Sequence, residues 1–417
     1  MTYVGYLDLF EPHGRSAPEQ TISLRLIAVP ATDLTTIPKS SAAVLEYWGT
    51  LQPIIVDAEV RQDWWDGTGA RGQGERAPGE GPRGGRAPLD PRQNEGRWFS
   101  FELGGGGPST PAAMHTTLNF TTQNVPLCNL TAIDLQSSVG TMIRGRFRMD
   151  AVATVSGAAC VDALPSGPVV SVCVLSVGQG LAVRVVIDDE AAIWYDLGWN
   201  LEGMPFDPAV RPRAGDAVVL SHWDYDHIGG GLEQWRERRD EMPRVWIVPS
   251  VRRTISPVAA ELLGKLLSAG FTVKAWGRSP PAPLPNAPPT PVVGIGPHIT
   301  IARPEPWSIV ANDSGIVMTF HVPCSDGSGP AAVLLVGDAR YLHIPRFSPA
   351  YDFLAVKHHG SKHGIGQPPR ARPGGVAVYS HGGQHKHVHP ESFAAHRGAD
   401  WLQQHEHETP KGPKAYP

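Results

Sequence analysis

The sequence predicts an α+β chain of two domains, a β-rich one over residues 1–165 and a mixed one over residues 166–417. Three observations carry that reading. The chain has 417 residues, more than the ~250–300 at which a single hydrophobic core stops growing. A Pro/Gly break at Ala163-Leu164-Pro165-Ser166-Gly167-Pro168 divides two textures. Before it lie short β-branched and aromatic runs; after it, apolar strands come first and then alternate with helical segments, the pattern of sheets packed between helical layers.

In the first domain the runs Thr21–Val29, Ala43–Tyr47, Ile54–Val60, Trp98–Leu103, Thr116–Thr122 and Met142–Thr154 read as strands, with Arg144–Met149 alternating as an edge strand would. They suit a small sandwich or barrel for binding or regulation. Residues 67–96 interrupt it with Gly, Pro and Arg and offer almost nothing to a core, which predicts a flexible loop or linker. In the second domain the expected strands are Val169–Leu175, Leu181–Ile187, Ile193–Tyr195, Ala217–Leu220, Val245–Val248, Ile299–Ala302, Gly315–Val322, Ala332–Val336, Phe353–Val356 and Val376–Tyr379. Helices are expected at Leu232–Met242, Pro257–Ala269 and near Glu391–Gln404.

A net charge of −4 argues against a protein that coats nucleic acid through bulk positive charge. A nuclease stays open, because bound divalent ions bring positive charge to where a phosphate sits. Cys128, Cys160, Cys173 and Cys324 form no CxxC pair, which fits a reducing compartment. No signal-peptide pattern follows Met1, and no apolar run reaches the ~20 residues of a membrane helix. The expectation is a cytoplasmic protein with no membrane partner.

The chemistry concentrates in Ser221-His222-Trp223-Asp224-Tyr225-Asp226-His227-Ile228-Gly229-Gly230, directly after a buried strand. Two imidazoles and two carboxylates within six residues suit Zn²⁺, Mn²⁺ or Fe²⁺. His222 and Asp224, two apart, can share one ion, and the adjacent Asp226 and His227 can serve a second. No Ser-His-Asp order, phosphate-cradling glycine loop or glycosidase carboxylate pair competes with this reading.

The motif resembles the HxHxDH signature of the metallo-β-lactamase superfamily, in the HxDxDH variant of the hydrolase domain of the competence protein ComEC and its soluble relatives. Further pieces resemble that branch in order. They are Val177-Gly178-Gln179-Gly180, Asp196-Leu197-Gly198, Asn312-Asp313-Ser314, Leu334-Leu335-Val336-Gly337-Asp338 and Lys357-His358-His359-Gly360-Ser361. The resemblance covers roughly residues 169–390 and implies a metallo-β-lactamase αββα sandwich following the β-rich domain. It also implies a two-ion site, Zn or Mn, that activates water for hydrolysis.

The resemblance and the strand-end setting together assign roles. Asp338, after an apolar strand and Gly337, is expected to bridge two ions. Asp226 is expected both to ligate and to orient the attacking water, with Lys357, His359 and Ser361 near a phosphate or a developing charge. Asp196 is expected to support the motif loop by hydrogen bonds, with Gln179 and Asn312 beside the site. The last ligand is open: His389, in His387-Val388-His389-Pro390, is the first choice, and His358 can fill the remaining gap. His298 and His321 are weaker candidates; His381, His385, His387, His396, His405 and His407 read as surface residues.

The resemblance points to DNA as substrate and a phosphodiesterase as activity. The arginines of residues 67–96, with Arg144, Arg146 and Arg148, lean the same way. A small ester, lactone or phosphodiester on the same ions is the first alternative, favoured by an apolar pocket under Trp199, Trp223 or Tyr225. A metal-holding scaffold is the second. A cytoplasmic DNase needs restraint, so the N-terminal domain is a candidate inhibitor and residues 67–96 a candidate site for an activating protease. The surface-insertion reading of that loop needs no such partner. Oligomeric state is not legible.

Overall fold

The computed structural model describes the chain apart from residues 14–20, 36–39, 68–95, 107–108, 117–120, 176, 178–179, 189–190, 199–210, 252–253, 278–291, 297, 304–314, 325–328, 346, 362–366, 381–389, 406–413 and 417. It divides into two compact units, one of residues 1–151 with 252–268 and one of residues 152–251 with 269–417. Residues 152–165, expected with the N-terminal domain, therefore fall with the second unit. The helix expected at Pro257–Ala269 falls with the first.

The first unit is a closed antiparallel barrel of β1 (Thr2–His13), β2 (Thr21–Pro30), β3 (Ile54–Arg61), β4 (Trp98–Leu103), β5 (Ser109–Thr116) and β6 (Thr122–Ala132), ordered β1-β2-β3-β5-β6-β4. Strand alternation fills it: Ile22, Leu24, Leu26 and Ala28 of β2 face Val56, Ala58 and Val60 of β3 and Phe99 and Phe101 of β4 in one core. Closure leaves no unpaired edge.

Two expected strands are helices, α1 (Ser41–Thr50) and α3 (Ser138–Phe147), with the short α2 (Gln62–Gly67) between them in sequence. Ser40 caps α1 through Ala43 N–H at 3.2 Å, and Ser137 caps α3 through Gly140 N–H at 3.1 Å. The caps decide what the aromatic and β-branched content of these segments obscured. Of the run expected at Thr116–Thr122, Thr116 ends β5 and Thr122 opens β6, while residues 117–120 lie outside the described residues. The loop expected over residues 67–96 lies almost wholly outside the described residues.

The same unit takes in α6 (Pro257–Ser268). Its Gly264 approaches α1 so closely that a Cβ there would lie 2.5 Å from the Gly49 nitrogen. Trp48 of α1 donates its indole N–H to the Arg146 carbonyl at 2.5 Å, and Trp98 of β4 donates to Thr254 Oγ1 at 2.8 Å.

The second unit holds two mixed sheets. The first is ordered β21-β8-β9-β10-β11-β12-β13-β7, from β7 (Thr154–Val155), β8 (Val169–Val174), β9 (Val183–Ile187), β10 (Ala191–Tyr195), β11 (Ala217–Val219), β12 (Val245–Pro249), β13 (Thr272–Trp276) and β21 (Lys414–Tyr416). The second runs in sequence order through β14 (Val292–Ile295), β15 (Ile299–Arg303), β16 (Val317–Val322), β17 (Ala331–Leu335), β18 (Tyr351–Ala355), β19 (Ala371–Tyr379) and β20 (Leu402–His405). Val183, Val185, Ile187, Ile193 and Val219 of one sheet share a core with Ile301, Met318, Phe320, Leu335 and Phe353 of the other. The opposite face of the second sheet is also buried, with Leu334, Leu354, Ala377 and Tyr379 packed against Phe393 of α7 (Pro390–Arg397). Burial on both faces explains why Ala332–Val336 and Phe353–Val356 read as unbroken apolar runs.

α4 (Gly157–Val161) precedes β8, and α5 (Tyr225–Arg238) follows β11, starting seven residues before the expected helix and inside the motif. The last helix ends at Arg397 and gives way to β20, where a continuing helix was expected. No described helix is long and apolar enough to cross a membrane.

Candidate metal centre

β10, β11, β12 and β13 are parallel neighbours, as are β17, β18, β19 and β20. The residues leaving their carboxyl ends therefore emerge side by side. Asp196 follows β10 and Ser221-His222 follows β11; Asp338 follows β17, Lys357-His358-His359 follows β18 and Ser380 follows β19. Carboxyl ends of parallel strands are where open α/β sheets place ligands.

The backbone is forced at two of these exits. Gly337 stands at φ 53°, where a Cβ would lie 2.5 Å from Ser221 Cβ, so only glycine lets Asp338 reach the motif. His358 (φ 44°) and His359 (φ 50°) are consecutive left-handed non-glycine residues, an arrangement worth of order 1–3 kcal/mol of strain each that surrounding contacts must hold.

Asp224 is the N-cap of α5, yet its side chain caps nothing; Oδ2 lies 3.2 Å from His222 Nε2 instead. Asp338 divides its two oxygens. Oδ2 stands 3.6 Å from His222 Nε2 and 3.4 Å from His358 Nδ1, while Oδ1 stands 3.2 Å from His227 Nε2. Asp226 completes the other side, with Oδ1 3.8 Å from His227 Nε2 and Oδ2 3.0 Å from His359 Nε2. Two groups result: His222, Asp224 and His358 on one side, Asp226, His227 and His359 on the other, with Asp338 between them. The ligand atoms of His222, His227 and Asp338 lie within 4.8 Å of one another, and so do those of Asp226, His227 and His359.

Hydrogen bonds outside the cluster orient the rings. Asp196 accepts from Ser221 N–H at 2.6 Å and Ser221 Oγ–H at 2.7 Å, and its Oδ2 lies 2.8 Å from His227 Nδ1. With its proton given to Asp196, Ser221 Oγ accepts from His222 Nδ1 at 2.9 Å. His359 Nδ1 donates to the Ser380 carbonyl at 2.7 Å. All three rings are thus held by Nδ1 and present Nε2 to carboxylates, the arrangement of metal-ligating histidines. The Nε2 atoms of His222 and His227 are buried and face carboxylate oxygens at 3.2 Å without the alignment of a good hydrogen bond. Imidazole lone pairs aimed at carboxylates in a dry site need a cation between them, and the donor set suits a borderline divalent ion.

The charges respond accordingly. Burial and the Asp338 carboxylate oppose ionisation of Asp226, but His227 and His359 hold it well below the usual carboxylate range. Burial also opposes Asp338, and His358, His227 and His222 together hold it well below that range. His227 is driven up against its burial by Asp338, Asp196 and Asp226. His222 rises too, since Asp224 and Asp338 outweigh burial and the neighbouring His227. Without a cation, protons hold the cluster together.

The structure thus brings His222, Asp224, Asp226, His227, Asp338, His358 and His359 into one place, with Asp196 behind them. His359, expected near the substrate, stands among the ligand candidates. Lys357 is fully buried, and its charge acts on His396. His396, expected on the surface, is fully buried. Ser361 is buried and gives its N–H to the His358 carbonyl at 2.8 Å, closing the turn. His298 and His321 are exposed and outside the cluster. Gln179, Asn312 and His389 lie outside the described residues. Sequence reasoning missed Ser221 and Ser380, because a serine beside a histidine signals nothing until strand pairing sets them together. A cavity of about 570 Å³ between Tyr341, Pro345, Tyr351, Pro369 and Ala395 holds none of the clustered ligands.

No family model matches the chain, and no curated sequence does. Among solved structures the chain is similar to Rm3 metallo-beta-lactamase, at 13% identity and a TM-score of 0.25, over 58% of this chain and 93% of that one. A likeness that distant carries no argument, and the functional reading rests on the site.

Proposed function

We propose that this chain is a metal-dependent hydrolase of the metallo-β-lactamase type, acting as a phosphodiesterase on DNA. The observation that carries the hydrolase reading is Asp338, whose two carboxylate oxygens serve two histidine-carboxylate groups at once. His222, Asp224, Asp226, His227, Asp338, His358 and His359 would hold two divalent ions, Zn or Mn, which would supply Lewis-acid activation of water and of the bond attacked. The chain's residues do the rest. Asp226, held ionised, is placed both to ligate and to accept a hydrogen bond from the attacking water, which orients it. Asp196, Ser221 and Ser380 keep the imidazoles from turning, so the ligand geometry exists before substrate arrives.

The preference for phosphodiesters rests on the resemblance of the HxDxDH, LLxGD and KHHGS elements to the ComEC branch, which is analogy of motif. Three arginines that leaned toward nucleic acid are otherwise engaged. Arg144 bonds the Leu135 carbonyl, Arg146 is buried over the Tyr47 ring, and Arg148 pairs with Asp150 at 3.1 Å. Among the described residues nothing favours the small-ester reading either: Trp223 is buried with its indole N–H on the Pro249 carbonyl at 2.8 Å, Tyr225 is buried, and Trp199 lies outside the described residues. The test is turnover of plasmid DNA, single-stranded DNA, a small phosphodiester and a lactone with Mn²⁺, Mg²⁺ and Zn²⁺, beside Asp226→Ala. DNA cleavage lost in the variant supports the proposal. Turnover of the lactone alone would replace the substrate, and no turnover in any arm would remove the hydrolase.

A further inference from the structure

Behind the centre runs a chain of buried hydrogen bonds that the proposed chemistry does not use. His396 of α7 places Nδ1 2.7 Å from the Ser392 carbonyl and Nε2 2.9 Å from the Tyr341 hydroxyl. A carbonyl only accepts, so Nδ1 carries the proton. Burial pushes this imidazole down to about 4, so it is neutral and Nε2 is an acceptor. The Tyr341 O–H must therefore donate to His396, which leaves its oxygen to accept the Lys357 N–H at 3.3 Å. Every donor and acceptor in the chain has one direction. The chain starts on the first turn of α7 and ends on the backbone nitrogen next to His358.

That end point matters. Lys357 opens the left-handed turn of His358 and His359, which continues into Gly360 at φ 97°. The turn supplies one imidazole to each side of Asp338. His359 has an anchor of its own on Ser380. The turn's backbone is gripped at the His358 N–H by the Gly337 carbonyl at 3.1 Å and at the Lys357 N–H by Tyr341. Tyr341 is also the third residue after Asp338. A single phenol thus ties the segment that carries the bridging carboxylate to the turn that carries two imidazoles.

We propose that Tyr341 and His396 are positioning residues for the metal centre: the Ser392–His396–Tyr341–Lys357 relay holds the His358-His359 turn in its strained conformation, ready for the ions. This rests on the metal-centre reading. Neither residue touches an ion or substrate, and the effect passes through the geometry of His358 and His359. Removing the hydroxyl takes away the group that His396 Nε2 and the Lys357 N–H both meet, and the strained turn loses one of its backbone grips.

The experiment is calorimetric titration of the metal-free protein with Zn²⁺, alongside the absorption spectrum of the Co²⁺-loaded protein, for wild type, Tyr341→Phe, His396→Leu and His396→Gln. The expected result is two ions in the wild type, and at least one of them bound about tenfold more weakly in Tyr341→Phe and His396→Leu, within the ~10–100-fold typical of such supporting partners. The Co²⁺ spectrum should shift in intensity with it. His396→Gln, whose amide oxygen can accept from Tyr341, should recover most of the affinity. Zn²⁺ affinities within twofold of wild type in a folded Tyr341→Phe, with an unchanged Co²⁺ spectrum, would overturn the proposal. If Tyr341→Phe does not fold, the histidine pair decides. Equal affinities in Leu and Gln variants overturn it, and weakening in Leu alone supports it. A wild type that binds no metal would instead bring down the metal-centre reading itself.

Discussion

At the scale of single residues, the centre is a set of side chains with one outward and one inward task each. Asp338 has only the inward one, and its role differs from that of a helix cap because both oxygens face imidazole nitrogens. Asp338→Ala should lower the metal content from about two ions per chain to below one, read by elemental analysis, with the circular dichroism spectrum unchanged. Full occupancy in that variant would remove the bridge. Asp196 is fully buried and stands at φ 61°. It accepts two hydrogen bonds from Ser221 and holds His227. Asp196→Asn offers one acceptor where two are needed, and should weaken metal binding ~10–100-fold in a competition titration with a chelating dye.

At the scale of elements, the decisive contacts are between loops that leave neighbouring strands. Gly198, two residues after Asp196, is packed so tightly that a Cβ would collide with the Asp226 carbonyl and with the Leu181 nitrogen, 2.5 Å away. The Leu181 N–H in turn bonds the Asp226 carbonyl at 3.1 Å, so the early Asp-x-Gly and the start of α5 are one assembly. Gly198→Ala should cost about 1–3 kcal/mol by overpacking, visible as a lower thermal midpoint together with weaker metal binding. A variant as stable as wild type would show that α5 can shift. α7 provides a pH-dependent term through His396. Its folded value lies near 4 against an ordinary 6.5, so between those pH values the unfolded chain binds more protons. The folded state is therefore favoured fully above pH 6.5 and loses about 3 kcal/mol as pH falls to about 4. Urea unfolding of His396→Gln should show a shallower loss over that window, and identical slopes would place the acid sensitivity elsewhere.

At the scale of the whole molecule, substrate and control are the open properties of function. A phosphodiesterase that reads only the backbone of DNA should lose turnover steeply as salt rises, since phosphate contacts release counterions. Cleavage of plasmid that is constant between low and high salt would argue against DNA as substrate. The expectation that the N-terminal domain restrains activity predicts a trypsin cut within residues 67–96, mapped by mass spectrometry, with turnover rising after it. A clean cut with unchanged turnover would leave those residues as a surface insertion.

Much of the centre was legible in the sequence because local chemistry and local structure coincide there. An apolar run into Ser221-His222, followed by alternating acids and a histidine, marks a strand end that projects ligands, whatever the rest of the chain does. Gly337-Asp338 after Ala332–Val336 is readable for the same reason. The pairing of ligands was not readable. Whether His358 and His359 join the centre depends on the parallel pairing of β17, β18 and β19, a contact between residues far apart in sequence. The fate of Ala43–Tyr47 and of Arg144–Met149 was hidden too, because aromatic and β-branched residues suit a strand face and a buried helix face alike, and a serine cap tips the balance. His396 is the sharpest case. A lone histidine in a polar helical stretch reads as solvated, and only the packing of α7 on the outer face of the second sheet, around Tyr341 and Tyr379, buries it and gives its two nitrogens opposite tasks. The sequence by itself determined which groups can hold a cation. The tertiary structure decided which of them meet, because ligand geometry is set by strand order and backbone strain, and neither leaves a local signature.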